Sequence, residues 1–186
     1  EKKEYNVNSN LIIEQNKIVL IEDFANTSCN PCVISNKIIH SLLTKTYGSN
    51  KIIAIKFPTN FPSPNDPFYK HNKVDSDSRI NFYNVVSAPS TFIDGRLVNN
   101  SLDSNSVKAA IDQSLNTTPN FTININKTVT TDSIIINIGI EKVSESGYNY
   151  SNLVLNTVLF EKEISFATPP GSNGETIFYD VMRKML

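Results

Sequence analysis

The chain has no tryptophan, only two cysteines, no surplus of either charge and no long apolar run in its 186 residues. Two cysteines three positions apart are too few to staple a scaffold, so a hydrophobic core must hold the fold. Seventeen basic residues stand against eighteen acidic ones, a net charge of -1. That balance leaves nothing spare to neutralise phosphates, and a nucleic-acid partner is disfavoured. No stretch approaches the roughly 20 apolar residues that span a bilayer, so no transmembrane segment is expected. What the chain does contain, 39% hydrophobic and 19% charged residues, suffices for a buried core and is not the composition of a disordered tail.

The length allows one large domain or two small ones. The chain opens Glu1-Lys2-Lys3-Glu4, with neither an initiator Met nor an apolar signal core. It is therefore expected to be a mature or trimmed form whose targeting segment has been removed. Abundant Asn and Ser without Trp fit an exported protein of an AT-rich bacterium.

Periodicity divides the chain. Ile18–Phe24 and Lys51–Phe57 are short apolar runs that read as buried strands. Between them Ile34, Ile38, Leu42 and Leu43 recur at helical spacing, and Gly48 supplies a stop. This is a parallel strand–helix–strand unit. The stretch 58–68, with Pro58, Pro62, Pro64 and Pro67, reads as a loop. A short helix is expected over about 76–83, capped by Asp75 or Ser76 and ending near Asn84. Ser90–Ile93, the turn Asp94-Gly95 and Arg96–Val98 read as a hairpin. Asp103 or Ser104 caps a last helix carrying Val107, Ala110, Ile111 and Leu115. After Pro119 the period becomes two: Phe121, Ile123 and Ile125, then Ile134, Ile136, Ile138 and Ile140, alternate with other residues. Strands are further expected over 153–160 and 176–179, so residues 118–186 read as an antiparallel β-sandwich domain.

Cys29-Asn30-Pro31-Cys32 lies where the first strand gives way to the helix. A helix N-terminus offers free N–H groups and partial positive charge, which stabilise the reactive thiolate. Two intervening residues let Cys29, at the exposed helix start, attack a substrate and Cys32 reach back to resolve the mixed disulfide. Pro31 suits the first turn, where a missing N–H costs nothing.

Ile21-Glu22-Asp23-Phe24, four residues and then the cysteine pair resemble the thioredoxin superfamily. The resemblance implies that Asp23, six positions before Cys29, lies buried beneath the pair and relays a proton to the resolving thiol, as a general base does. Glu22 should point to the opposite face of the strand. Val86-Ser87-Ala88-Pro89-Ser90-Thr91-Phe92-Ile93-Asp94-Gly95 resembles the family's cis-proline segment. It implies a cis Ala88–Pro89 bond beside the cysteines, with the Ala88 backbone offered to an extended substrate and Asn30 and Pro31 on the same surface. The succession Asp66-Pro67-Phe68-Tyr69, Asp77, Arg79 and Tyr83-Asn84-Val85 is similar to bacterial outer-membrane lipoproteins named for a twenty-eight-kilodalton member. So is the ending Phe178-Tyr179-Asp180-Val181-Met182-Arg183-Lys184-Met185-Leu186. In them a thioredoxin-like half precedes a β half. Three positions depart from that pattern: Pro31 stands directly before Cys32, and Asn84 and Ala88 stand where Gly is usual.

The resemblance implies an α/β thioredoxin-like domain over 1–117 and an all-β, immunoglobulin-like sandwich over 118–186, cut short if the chain truly stops at Leu186. It further implies a thiol–disulfide oxidoreductase of the cell envelope that takes protein thiols or disulfides as substrate and needs no cofactor. A lipid anchor on the removed N-terminus would suit it. The competing reading is a surface or adhesion protein that keeps the disulfide as a staple. A metal site is not expected, because His40 and His71 form no close-spaced ligand pair to join the cysteines. The aromatic residues Phe57, Phe61, Phe68, Tyr69, Phe82 and Tyr83 flank the proline loop, as packing or as an apolar rim for substrate.

Overall fold

Seven residues from Val19 to Ala25 form strand β1, and their near-continuous apolar run is what a strand covered on both faces requires. Val19, Ile21 and Phe24 are fully buried there, and the charged Glu22 and Asp23 are almost as inaccessible. The structure, a computed structural model, describes residues 17–143 and 151–186. Strand β2 (Ile52–Pro58) runs parallel to β1, from Val19 opposite Ile52 to Ala25 opposite Pro58. Helix α1 (Cys32–Ser41) makes the crossover, continues as a π-helical turn over Leu42–Tyr47 and stops at Gly48, whose φ of 79° suits a residue without Cβ. Its inner stripe is Cys32, Ser35 and Ile39, continued by Leu42 and Leu43. Ile34, expected in that stripe, lies one residue off it and is half exposed.

The loop expected over 58–68 ends in a short helix, α2 (Pro67–His71), started by Pro at its first position and the Asp66 side chain as cap. Helix α3 (Lys73–Tyr83) begins a turn earlier than expected because Asn72, not Asp75, caps it. It ends at Asn84 with φ 51° and ψ 47°, a left-handed position that Asn tolerates better than most residues with a Cβ. Strands β3 (Ser90–Ile93) and β4 (Arg96–Leu97) form the expected hairpin. Its turn residues Asp94 and Gly95 both have positive φ, as a two-residue hairpin turn demands. Helix α4 (Ser104–Leu115) is capped by Asp103.

The C-terminal part corrects the expected architecture. Strands β5 (Phe121–Val129) and β6 (Ile134–Lys142) form a two-stranded antiparallel sheet that belongs to a compact unit of its own. Strands β7 (Val158–Ser165) and β8 (Ile177–Met185) do not extend it into a sandwich. Instead β8 pairs parallel with β2 at Lys56 opposite Val181, and β7 pairs antiparallel with β8. The result is one six-stranded mixed sheet in the order β4-β3-β1-β2-β8-β7. The physical reason lies in β2, whose outer edge would otherwise present unpaired N–H and C=O groups. Alternation in a sequence identifies a strand but not the sheet it joins. Strands β7 and β8 accordingly fall in the same compact unit as the elements of Lys17–Thr118.

Two cores sandwich the six-stranded sheet, as a layered α/β unit requires. One gathers Val19, Ile21, Ile39, Ile52, Val107 and Ile111 between the sheet and helices α1 and α4. The other gathers Phe24, Ile55, Phe57, Ile80, Phe92 and Met182 beneath α3.

Candidate functional site

The two cysteines are joined, with sulfurs 2.05 Å apart, at the point where β1 has ended and α1 begins. Cys29 is held in a turn by its own N–H donating to the Asn26 carbonyl, 3.0 Å. The Cys32 N–H, at the helix start, donates to the Cys29 carbonyl at 3.1 Å and approaches its Sγ at 3.2 Å. A helix-terminal N–H on the first sulfur is the contact that would favour a thiolate there. One expectation needs correcting: Cys29 is not at an exposed helix start. It precedes the helix and is 2% accessible, packed with Cys32, Ala25 and the half-buried Ala88. Asn30 and Pro31 are the exposed residues of the motif.

A cavity of about 340 Å³ opens over Cys29, lined by Asn30 and Pro31 on one side and Ser87 and Ala88 on another. The Ala88–Pro89 bond is cis, as the resemblance implies. Phe61 and Pro62, also joined by a cis bond, close the cavity from the proline-rich loop as a third wall. Of the aromatic residues flanking that loop, Phe61 lines the cavity, whereas Phe57, Phe68 and Tyr69 are buried in packing.

Asp23 and Glu22 leave β1 towards different partners, as alternation requires. Asp23, 1% accessible, accepts from Thr91 Oγ1 at 2.8 Å and pairs with Lys56 Nζ at 2.9 Å. Lys56 also donates to Asn36 Oδ1, and Asn36 lies one helical turn after Cys32 on the same face. Glu22 receives both Nε and Nη2 of Arg79, at 2.7 and 3.0 Å, and the Tyr83 hydroxyl. Burial, reinforced by the Glu22 carboxylate, pushes the Tyr83 hydroxyl well above its usual range. The guanidinium is held charged because Glu22 outweighs the burial that would lower it.

The loop that carries the cysteines is clamped from two directions. From one side the buried Asp66 carboxylate accepts from the N–H groups of Thr27 at 2.6 Å, Phe68 at 2.8 Å and Tyr69 at 2.9 Å. From the other, the segment between β7 and β8 lies against Thr27, whose carbonyl accepts from the Asn173 N–H at 3.1 Å. Gly171 comes so close that a Cβ would stand 2.2 Å from the Thr27 oxygen. Its φ is not the issue; only space is. Gly171→Ala should destabilise the protein by roughly 1–3 kcal/mol through overpacking, read as a lower urea midpoint.

Burial raises the Asp66 carboxyl above its ordinary range, against the pull of its three backbone donors. A raised folded-state value means that the favourable contribution is full below the unfolded pKa, about 3.9. It is then lost as the pH rises through the raised value. Urea midpoints should therefore gain from mild acidification in the wild type, and this gain should vanish in Asp66→Asn. At neutral pH that variant should also be less stable by about 1–3 kcal/mol, because an amide cannot accept from all three N–H groups in this arrangement.

Lys56, Asn36 and Glu175 escaped sequence reasoning. Lys56 alone left a signal, a lysine inside the apolar run KIIAIKF, where a buried cation must find a partner. Its contact with Asp23 spans 33 positions and that of Asn36 with Glu175 spans 139. Among the described residues no group of three His, Cys, Asp or Glu side chains is placed to hold a metal ion. His40 instead stacks on Tyr179, ring centroids 4.0 Å apart. No helix of the described residues is long and apolar enough to cross a membrane.

No protein-family model matches the chain, and no curated protein does either. The structure is similar to that of HBP35 of Porphyromonas gingivalis, with a TM-score of 0.74 at 13% identity, over 92% of this chain and 57% of that one. It is also similar to a crystallographically determined protein of Agrobacterium tumefaciens, with a TM-score of 0.60 at 14% identity, over 92% of this chain and 73% of that one. The chain thus spans a little over half the length of HBP35. At such identities the likeness is one of fold.

Proposed function

We propose that the chain is a thioredoxin-like thiol–disulfide oxidoreductase of the bacterial cell envelope. Cys29 is the nucleophile, Cys32 the resolving thiol and Asp23 the proton relay. Asn30, Pro31, Ala88 and Pro89 form the surface that receives an extended protein substrate. The observation that carries this reading is the Cys29–Cys32 pair at the start of α1, with a helix-terminal N–H directed at the Cys29 sulfur and a cavity open above it. In the reduced protein the Cys29 thiolate attacks a substrate disulfide. One substrate sulfur leaves as a thiolate and a mixed disulfide forms. The Cys32 thiol then gives its proton to Asp23, and its sulfur attacks Cys29 Sγ, releasing the second substrate thiolate. The substrate has gained two electrons and the pair has become a disulfide. An envelope location suits a disulfide, since that compartment permits one to persist, and agrees with the exported composition.

A second reading, a surface or adhesion protein with a structural disulfide, is favoured by the 2% accessibility of Cys29. Reduction of insulin with dithiothreitol as electron donor separates the two. The oxidoreductase should shorten the lag before insulin precipitates, and Cys29→Ser should restore the uncatalysed lag. Equal lags for wild type and variant would leave the staple.

A further inference from the structure

The segment joining β7 to β8 brings in a charge that the two-cysteine mechanism does not call for. Glu175 accepts from Asn36 Nδ2 with both carboxylate oxygens, at 2.9 and 2.8 Å, and from Asn173 Nδ2 at 2.7 Å. Asn36 turns its other end, Oδ1, to Lys56, and Lys56 holds Asp23. These contacts make one chain of fixed polarity: carboxylate, amide, ammonium, carboxylate. The amide is the only neutral link, and its orientation is set by having an anion at its nitrogen and a cation at its oxygen. The same segment grips Thr27 in front of the cysteines through Asn173 and Gly171.

We propose that Glu175 is a positioning residue that sets how readily Asp23 takes the Cys32 proton. The proposal rests on the oxidoreductase reading for the role of Asp23, and on geometry for the connection. Lys56 is shared between Asp23 and Asn36, and the anion behind Asn36 keeps it shared. With the anion present, the positive field of Lys56 at Asp23 is partly offset, so the carboxylate stays a useful base. Without it, Asn36 loses the partner that orients it, and Lys56 closes on Asp23 with its full charge. An ammonium drawn fully onto the carboxylate opposes its taking up a proton, so Asp23 becomes a weaker base for Cys32.

The other charged and titratable groups facing this place are few. Asp23, Lys37, His40, Lys56, Tyr179 and Asp180 line, with Glu175, a cavity of about 400 Å³ between α1 and β8. His40 is engaged with the Tyr179 ring and Asp180 with Lys162, so neither replaces Glu175 on the Asn36 amide.

The resolving step can be watched without any physiological substrate. Reduced protein is mixed with one equivalent of dithionitrobenzoate. Attack by Cys29 releases one coloured aryl thiolate and leaves the other bound as a mixed disulfide. Cys32 then loses its proton to Asp23, its sulfur displaces the aryl group from Cys29 Sγ, and a second coloured thiolate leaves with the electron pair. The rate of this second release is followed across pH for wild type, Glu175→Gln, Asp23→Asn and the double variant. Glu175→Gln, which keeps size and removes charge, should move the midpoint of the pH–rate profile about half a unit to one unit to lower pH and lower its plateau severalfold. Asn36→Leu, which cuts the bridge and leaves both ends, should do the same. In the Asp23→Asn background neither change should move the profile. An unmoved midpoint in Glu175→Gln would overturn the proposal. So would an equal effect with and without Asp23, because a merely structural strap would act in both backgrounds. Insulin turnover is scored separately: its absence would sink the oxidoreductase reading, while a midpoint shift that depends on Asp23 would leave the coupling standing.

Discussion

Cys32→Ser is expected to abolish insulin reduction and to leave the protein covalently joined to the first disulfide it attacks. The variant keeps the nucleophile at Cys29 but has no second sulfur to displace the substrate, so the reaction stops at the mixed disulfide. Turnover should fall on the order of 10³-fold or more, as it does when a group that acts as half of a unit is removed. On a non-reducing gel the adduct should appear with Cys32→Ser and disappear on adding dithiothreitol. Cys29→Ser should lose turnover to the same extent and trap nothing. The asymmetry follows from the structure: the cavity is lined by Cys29 and not by Cys32, which is fully buried. Trapping by Cys29→Ser instead would reverse the assignment of nucleophile and resolving thiol. Trapping by neither variant would leave a disulfide that does not exchange.

The largest loss of stability is expected far from the cysteines, at Glu22→Ala. Glu22 is 3% accessible and is bound by Arg79 through two nitrogens and by the Tyr83 hydroxyl. Deleting the carboxylate leaves a largely buried guanidinium with no anion, and the stranded cation rather than the lost attraction sets the cost, roughly 3–5 kcal/mol. Arg79 stays over the Phe82 and Tyr83 rings, 4.6 and 4.8 Å from their centroids. Those faces are a weak substitute for a carboxylate. Chemical denaturation of Glu22→Ala and of the double variant Glu22→Leu/Arg79→Leu tests the reason. The double variant should recover much of the loss, because burying two apolar side chains avoids the unpaired charge. Equal losses in both would mean that the attraction itself, not desolvation, dominates.

Both expectations draw on contacts that differ in how far a sequence betrays them. Local features were legible: the apolar runs of β1 and β2, the Asp94-Gly95 turn, the Asp103 cap and the cysteine spacing each depend on a few consecutive residues. Glu22 and Asp23 could be assigned to opposite faces of one strand by alternation alone. Their partners could not be named, because Arg79 and Lys56 reach them across 57 and 33 positions. The strand expected over 153–160 is found at 158–165. Leu153, Val154 and Leu155 are apolar enough to mimic its start but remain exposed outside the sheet.

The sequence by itself determined where β1 to β4, α1 and α4 lie, though not α2 or the start of α3, and which two residues carry sulfur chemistry. Scarcity helped, since with two cysteines there is one pairing within the chain. Tertiary structure alone decided that β8 completes the edge of β2, that Cys29 is buried at the floor of a cavity rather than exposed at a helix start, and that Glu175 stands behind Asn36 and Lys56. The reason is that turns, caps and periodicity are set by neighbours in the chain. Strand partners and buried charges are settled by whichever distant group satisfies an open edge or an unpaired ion, and many candidates in the sequence could do so.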